Sequence, residues 1–441
     1  MIESGRAGEI LKEALGVCRA DGVEASLAAE DSALTRFADG RIHQNVSRED
    51  ALLSVRARAG RRMGESETRS LSLVAYAQMA TEALELARSA PDEPDLLPLV
   101  GPSEFEPSEG FDPAATLSAH RPEARAAAVR EAFGIARAAG LSASGAYEQS
   151  VNSFAIQNST GLSAFHRGSR CRFVMTATGE TSTGWAESSA FGPGGIDPAA
   201  VARRAVGKAT LGKDPRALSP GAYDVILEPA AVAGLLQFLG FGFDRLAVEE
   251  GRSFLSGGRH RRIGGPGTTL RADFSHPLHR GAPFDGEGVP RRRLSLIEKG
   301  DVREFFCDRR TALRLGVPPT GHSPGGRSAY GALPDHLVLE GGTDTIESLV
   351  RSTDKGLLLT RTWYENWLDP MACSITGMTR DGVLLVEKGE IAGGVKNFRF
   401  NESVLEALAR VDGATAPAYA EGIVCPALRI RDFHFTEATD F

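Results

Sequence analysis

The first two hundred residues spell the order helix, hairpin-forming strands, helix twice, and this doubling confines that part of the chain to layers of helix and sheet. Ala7, Ile10, Leu11, Ala14, Leu15 and Cys18 recur at helical spacing, and Gly22 follows Asp21 as a stop. Strands are expected at Val23 to Ala29, at Leu34 to Ala38 and Arg41 to Gln44 around the Asp39-Gly40 turn, and at Ala51 to Ala59, where Leu53, Val55 and Ala57 alternate. Ser70 to Ala90 returns to helix. The order restarts with a helix from Pro122 to Ala139 that stops at Gly140, the counterpart of Gly22. Strands Ala146 to Gln157 and Leu162 to Ala177 flank a turn at 158–161, and a helix follows from about Asp197 to Thr210.

Between the two units lies Pro91 to Pro113, whose prolines and acidic residues leave few backbone donors and little to bury, so an exposed linker is expected. A second break at Lys213 to Ala222 precedes a strand at Tyr223 to Leu227, an apolar helix at Ala230 to Phe243 and a glycine-rich remainder. Within that remainder Val383 to Lys388 and Glu390 to Val395 flank Gly389, and a short helix is expected over Glu402 to Val411. The predicted organisation is a first α+β unit over 1–90, a linker over 91–113, a second α+β unit over 114–212, and a mainly antiparallel β domain over 223–441. The fold class is α+β, with a possible internal repeat in its layered N-terminal half.

Composition removes several function classes. With 50 Lys and Arg against 57 Asp and Glu, the net charge of -7 gives no basic field to draw nucleic acid or anionic lipid. The longest apolar run is too short to span a bilayer, and the first residues lack a secretory pattern, so a cytoplasmic location is expected. Cys18, Cys171, Cys307, Cys373 and Cys425 are odd in number and never in a C-x-x-C pair, which fits reduced thiols.

Small motifs with catalytic overtones fail on physical grounds. Gly321-His322-Ser323-Pro324-Gly325 satisfies G-x-S-x-G, but Pro324 has no N–H to offer an oxyanion and no strand precedes the serine, so a turn is expected. Gly207-Lys208 lacks the upstream glycine of a phosphate cradle, and Lys208 reads as a solvated helix residue. Gly264-Gly265-Pro266-Gly267 reads as loop. His276 and His279, with Glu287 downstream, form a weak alternative metal shell; loop histidines are more often solvated or paired side chains. Arg291-Arg292-Arg293 reads as a solvated face or a basic patch for an acidic partner.

Longer phrases are more specific. The stretch Asp31 to Asn45, DSALTRFADGRIHQN, resembles the N-terminal signature of the TldD/PmbA family. Phe284 to Pro290 (FDGEGVP), Leu296 to Gly300 (LIEKG), Thr311-Ala312, Thr320-Gly321, Gly377, Val386 to Ile391 and Val395 to Asn397 follow the family's order, so the resemblance spans about Arg6 to Val411. The zinc-peptidase kind of member carries His-Glu-x-x-x-His on the helix after a strand, with zinc on the histidines and the glutamate assisting the metal-bound water. Aligned through Leu235-Leu236, this chain places Gln237 and Gly242 at the histidine positions and Phe238 at the glutamate position. No catalytic residues and no metal are therefore expected in this chain, which resembles the PmbA or TldE kind of subunit.

The resemblance implies a TldD-like zinc peptidase subunit as partner, or a second copy, with zinc in the TldD-like partner and small unfolded peptides as substrates, including leaders of modified peptide antibiotics. It also carries a link to DNA gyrase modulation, which the negative charge makes indirect. A β-rich C-terminal half suits main-chain pairing with an extended peptide. Gln237, Phe238, Gly242, Asp285, Glu287 and Thr320 are the groove candidates, with turn-fixing as the plain alternative for Asp285 and Glu287. The cluster Trp363, Tyr364 and Trp367 reads equally as interface anchor or core. Three functions stay open: a non-catalytic subunit of a peptidase complex, a homodimeric hydrolase with an unusual metal shell, and a peptide-binding adaptor without proteolysis.

Overall fold

The doubled order becomes a single sheet. The computed structural model describes residues 1–326 and 331–439. The first unit runs α1 (Ser4–Val17), β1 (Gly22–Ala38), β2 (Arg41–Ala59), β3 (Arg62–Thr68) and α2 (Leu73–Ser89). The second runs α3 (Pro122–Ala138), β4 (Ser142–Asn158), β5 (Ser163–Thr178), β6 (Thr183–Ala190) and α4 (Pro198–Leu211). Strand order is β3-β2-β1-β4-β5-β6, so the first strands of the two units pair antiparallel at the centre, from Glu24↔Asn158 to Phe37↔Gly145. Alternation puts Val23, Ala25, Leu27, Leu53, Val55 and Ala57 under α1 and α2, and Cys171, Phe173, Met175 and Ala177 under α3 and α4.

In this sheet β3 and β6 escaped the sequence reading, and four predicted strands are two, since Arg41 to Gln44 and Ala51 to Ala59 also run together as β2. The pieces at Val23 to Ala29 and Leu34 to Ala38 join into β1 because Glu30 and Ser32 stand on the sheet face away from the helices, where their polarity costs little. β3 and β6 lack apolar alternation, and each carries a glycine where its helix crosses. A Cβ on Gly64 would collide with the backbone of Ala83 and Ala87 in α2, and one on Gly184 with that of Ala205 and Ala209 in α4. The same device serves both units.

Residues 91–113 are exposed or half-exposed apart from Gly110, and they are also anchored along their length. Prolines deny the segment donors, but its carbonyls accept: Val100 O receives Asn158 Nδ2 at 2.7 Å and Thr160 Oγ1 at 2.8 Å. Ser108 Oγ donates to Gly281 O, Gly110 bridges Gly168, and Phe105 packs on Phe284 at 5.1 Å. The segment is a strap between the sheet and the C-terminal half.

That half begins with β7 (Gly221–Leu227), α5 (Pro229–Phe241) and α6 (Arg245–Glu249). Then come β8 (Leu270–Ala272), β9 (Ser275–His276), β10 (His279–Arg280), β11 (Leu294–Glu298), β12 (Asp301–Val302), α7 (Arg309–Leu315), β13 (Leu337–Leu339) and α8 (Ile346–Arg351). The chain closes with β14 (Lys355–Asp369), β15 (Ser374–Glu387), β16 (Glu390–Gly394), β17 (Phe398–Ser403), α9 (Val404–Ala409), β18 (Val411–Ala414), β19 (Ala418–Ala420), β20 (Ile423–Cys425) and β21 (Leu428–Ala438). β14, β7, β21, β17 and β15 pair in succession, and β15 pairs back to β14, closing a small barrel. A second sheet runs β12-β11-β8-β13-β20-β19, leaving β19 at its edge. The fold is therefore mixed α+β with predominantly antiparallel sheets, as expected. All five cysteines are buried and free.

Candidate functional site

Helix α5 is apolar nearly all round, so it is driven into the core, where it packs on β14 and beside β20 and α9. Pro229 occupies its first turn and Gly242 its C-terminal cap. Gln237 faces solvent. Phe238 stands edge-on to Trp367, centroids 4.9 Å apart. Gly242 lies flat against Phe254: a Cβ there would fall inside the phenyl ring. These three side positions hold an amide, a hydrocarbon ring and a packed hydrogen atom, and none offers a lone pair suited to zinc.

The aromatic cluster resolves toward the surface. Trp363 is 44% exposed and Tyr364 69%, with Trp367, Leu368 and Phe241 also open to solvent. Arg361 and Arg380 lie over the Trp363 ring at 5.6 and 4.8 Å, which fixes it in place. It is not core.

Asp285, Glu287 and Thr320 fall in one neighbourhood, apart from the Gln237 surface. Asp285 is buried, and its Oδ1 accepts the N–H groups of Glu287 and Val289 while Oδ2 accepts that of Ser323 at 2.9 Å. These are the bonds of a turn. Thr320 is equally buried: its hydroxyl accepts Cys307 N–H at 2.9 Å and contacts His322 Nδ1 at 3.1 Å. Glu287 differs, because among the described residues its Oε2 is buried without a hydrogen bond, and its ion-pair partner Arg309 is 3.8 Å away. Burial, only partly offset by Arg309, pushes its carboxyl up to about 7. Glu24 and Arg56 from the sheet, paired at 2.9 Å, help wall the same 560 Å³ cleft.

The alternative metal shell does not assemble. His276 and His279 sit opposite each other on β9 and β10, but His276 Nδ1 accepts Leu278 N–H at 3.2 Å. The His279 ring packs on His336 and Tyr419 at 4.6 and 5.3 Å. Glu287 faces Arg309 in its own cleft, and among the described residues no three His, Cys, Asp or Glu side chains are placed to hold a metal ion. The arginine run is likewise not a free patch, since Arg291 pairs with Asp335, Arg292 with Glu304 and Arg293 with Glu106. Lys208, expected in solvent, is largely buried and binds Glu228 at 2.6 Å and Trp185 O at 3.1 Å. The G-x-S-x-G stretch is irregular backbone, as its proline requires, and its serine N–H is spent on Asp285.

Sequence reading missed a third polar cluster, where β6 and α4 meet the C-terminal half. Glu187, Arg172, Lys208, Glu228 and Tyr419 come from five separate segments there. No local pattern links them, so only the fold could bring them together.

Comparison with known proteins follows this geometry. Residues 115–212 match the PmbA/TldA metallopeptidase central domain, and residues 220–437 match the PmbA/TldA metallopeptidase C-terminal domain. A metalloprotease of Methanothermobacter thermautotrophicus is 27% identical over 198 residues, covering 44% of this chain and 42% of its own. A zinc metalloprotease TldD homolog of Saccharolobus solfataricus is 33% identical over 118 residues, a quarter of each chain. The chain thus spans less than half the length of the curated relatives it matches. TldE from Thermococcus kodakarensis superposes with a TM-score of 0.88 at 19% identity, covering 97% of this chain and 99% of that one. A structure described as a modulator of a DNA gyrase from Thermotoga maritima gives 0.83 at 19% identity, covering 94% and 96%. These two establish a shared fold. Together with the two domain matches, they show that the chain belongs to the PmbA/TldD metallopeptidase family.

Proposed function

We propose that this chain is a subunit without a metal centre of its own, which completes a peptide-processing complex with a zinc-bearing relative of the same family. The observation that carries this reading is the packing at the end of α5. Gly242 is closed off by Phe254, and Phe238 is committed to Trp367, so the positions that match a zinc-binding histidine and the catalytic glutamate serve the core and the aromatic surface instead. The exposed Trp363, Tyr364 and Trp367 beside that helix suit a protein contact, because aromatic anchors dominate interface energetics. Small flexible peptides are the expected substrates and the cytoplasm the expected compartment, where the five free thiols would remain reduced. Among the described residues no helix is long and apolar enough to cross a membrane.

The test is elemental analysis of the purified chain, alone and after mixing with a relative that carries His-Glu-x-x-x-His. Zinc that appears only with the relative, together with a stable complex on size-exclusion chromatography, is the expected result. Near-stoichiometric metal in the isolated chain would overturn the proposal.

A further inference from the structure

One arginine beside the third polar cluster has no acid to answer it. Arg170 leaves β5 on the sheet face away from the helices, half-buried, and burial pulls its guanidinium below the usual arginine range. The acidic groups close enough to act on it are the Tyr419 phenol and the Cys171 thiol, which burial raises and so keeps neutral. The neighbouring cations are already matched, Arg172 with Glu187 at 2.7 Å and Lys208 with Glu228 at 2.6 Å. Among the described residues Arg170 makes ring contacts instead of ion pairs. Its guanidinium carbon lies 4.0 Å from the centre of the Tyr419 ring and 4.8 Å from that of Phe191. Such contacts hold a guanidinium in place and leave its N–H groups free to donate.

Access is open. None of the Arg170 nitrogens is among the buried atoms that lack a partner, and the residue lines two clefts, one of about 510 Å³ on the open face of the first sheet and one of about 730 Å³ between β6 and β19. Both of its ring partners wall the larger cleft, whose surface is mostly apolar, with Trp185, Pro229, Leu278 and Ile346 contributing. Two neutral donors share the place. The Tyr419 hydroxyl is neither buried nor hydrogen-bonded among the described residues. Ser189 stands opposite Arg172 in register, which puts its hydroxyl on the same sheet face as Arg170. An unpaired planar guanidinium with hydroxyl donors beside it is the donor set of a carboxylate site. A single positive charge matches a carboxylate better than a phosphate dianion, because burial holds the nearby His166 and His279 imidazoles neutral.

We propose that Arg170, with the hydroxyls of Tyr419 and Ser189, binds a carboxylate carried by a short peptide whose apolar side chains lie in the larger cleft. The carboxylate is the peptide's C-terminus or an acidic side chain, which share this chemistry. The inference deepens the peptide-processing reading and rests on it for the ligand's class. It adds that this subunit holds substrate itself.

The test is fluorescence anisotropy on the full chain with a hexapeptide of alanine and valine labelled at its N-terminus. The peptide is used with a free carboxyl end, with an amidated one, and amidated with one internal glutamate. Saturable binding of the free acid, weakened roughly tenfold or more by amidation, is expected, and recovery by the glutamate peptide would support a side-chain carboxylate at the same site. Arg170→Gln should abolish the preference for the acids, and Arg170→Lys, which keeps the charge but not the fork, should restore part of it. Tyr419→Phe keeps the ring under Arg170 and removes only the hydroxyl. It should weaken the free acid about threefold to tenfold, leave the amide unaffected and leave the thermal midpoint unchanged. No saturable binding up to millimolar peptide, equal binding of acid and amide, or an Arg170→Gln profile identical to the parent overturns the proposal. Should Arg170→Gln fail to fold, Tyr419→Phe decides, and parental affinity of that variant for the acid overturns it. Failure to associate with a zinc-bearing relative would remove the complex but leave this binding intact, so the two readings fail separately.

Discussion

At Gly242 the chain has exchanged reach for packing. The residue has ordinary helical φ, so no backbone need explains the glycine; the ring of Phe254 does. Gly242→His should therefore destabilise the fold by roughly 1–3 kcal/mol through overpacking. Gln237→His, on the exposed side of the same helix, should stay within about 0.5 kcal/mol. Urea unfolding of both variants checks the pair, and equal midpoints would refute the packing account. The identities of Gln237, Phe238 and Gly242 were readable from the sequence, whereas the reason for the glycine was not, because Phe254 lies in an irregular segment whose return to α5 no local pattern announces. Asp285 shows a different case. The sequence left it open between a groove residue and a turn-fixing one, and its Oδ1 accepts the N–H groups that hold a turn.

At the level of elements, helices α1 to α4 were legible because their apolar residues repeat with the helical period and must find a sheet to cover. β3 and β6 were not, since each spends a position on a glycine that lets a helix backbone come close. Gly64→Ala and Gly184→Ala should each lower stability by roughly 1–3 kcal/mol. The two losses should add in the double variant, because the sites serve different helices. Chemical denaturation of the singles and the double tests this, and a neutral effect at either site would deny the close approach. The strap at 91–113 was legible as an irregular, largely exposed segment, but composition does not reveal that its carbonyls are wanted elsewhere.

For the molecule as a whole, the seam between the first sheet and the C-terminal half is rich in imidazoles held neutral. His166 from β5 and His279 from β10 are each lowered to about 4, by burial first and then by nearby arginines, and His322 to about 3. Their folded values lie below the unfolded value near 6.5, so the unfolded chain binds more protons, and stability is lost as pH falls from about 6.5 toward 4. Glu287, raised to about 7, acts in the opposite sense across an overlapping range. A comparison of variants separates the two. Between pH 7.5 and pH 5, His166→Gln should lose roughly 1 to 2 kcal/mol less unfolding free energy than the parent. An identical pH dependence would remove His166 from the acid response. Nothing in the sequence predicted this seam, because its histidines stand at 166, 279, 322 and 336 and meet only through tertiary folding.

The central pairing of β1 with β4 also sets a schedule for the growing polypeptide. When the first ninety residues have left the ribosome, β2 can fold back on β1, but the other edge of β1 has no neighbour until Ser142–Asn158 emerges. During that interval a strand destined for the middle of the sheet is an outer edge, open to a neighbouring nascent chain with the same sequence. Synthesis rate through the proline-rich strap, rather than native stability, then governs how long that exposure lasts.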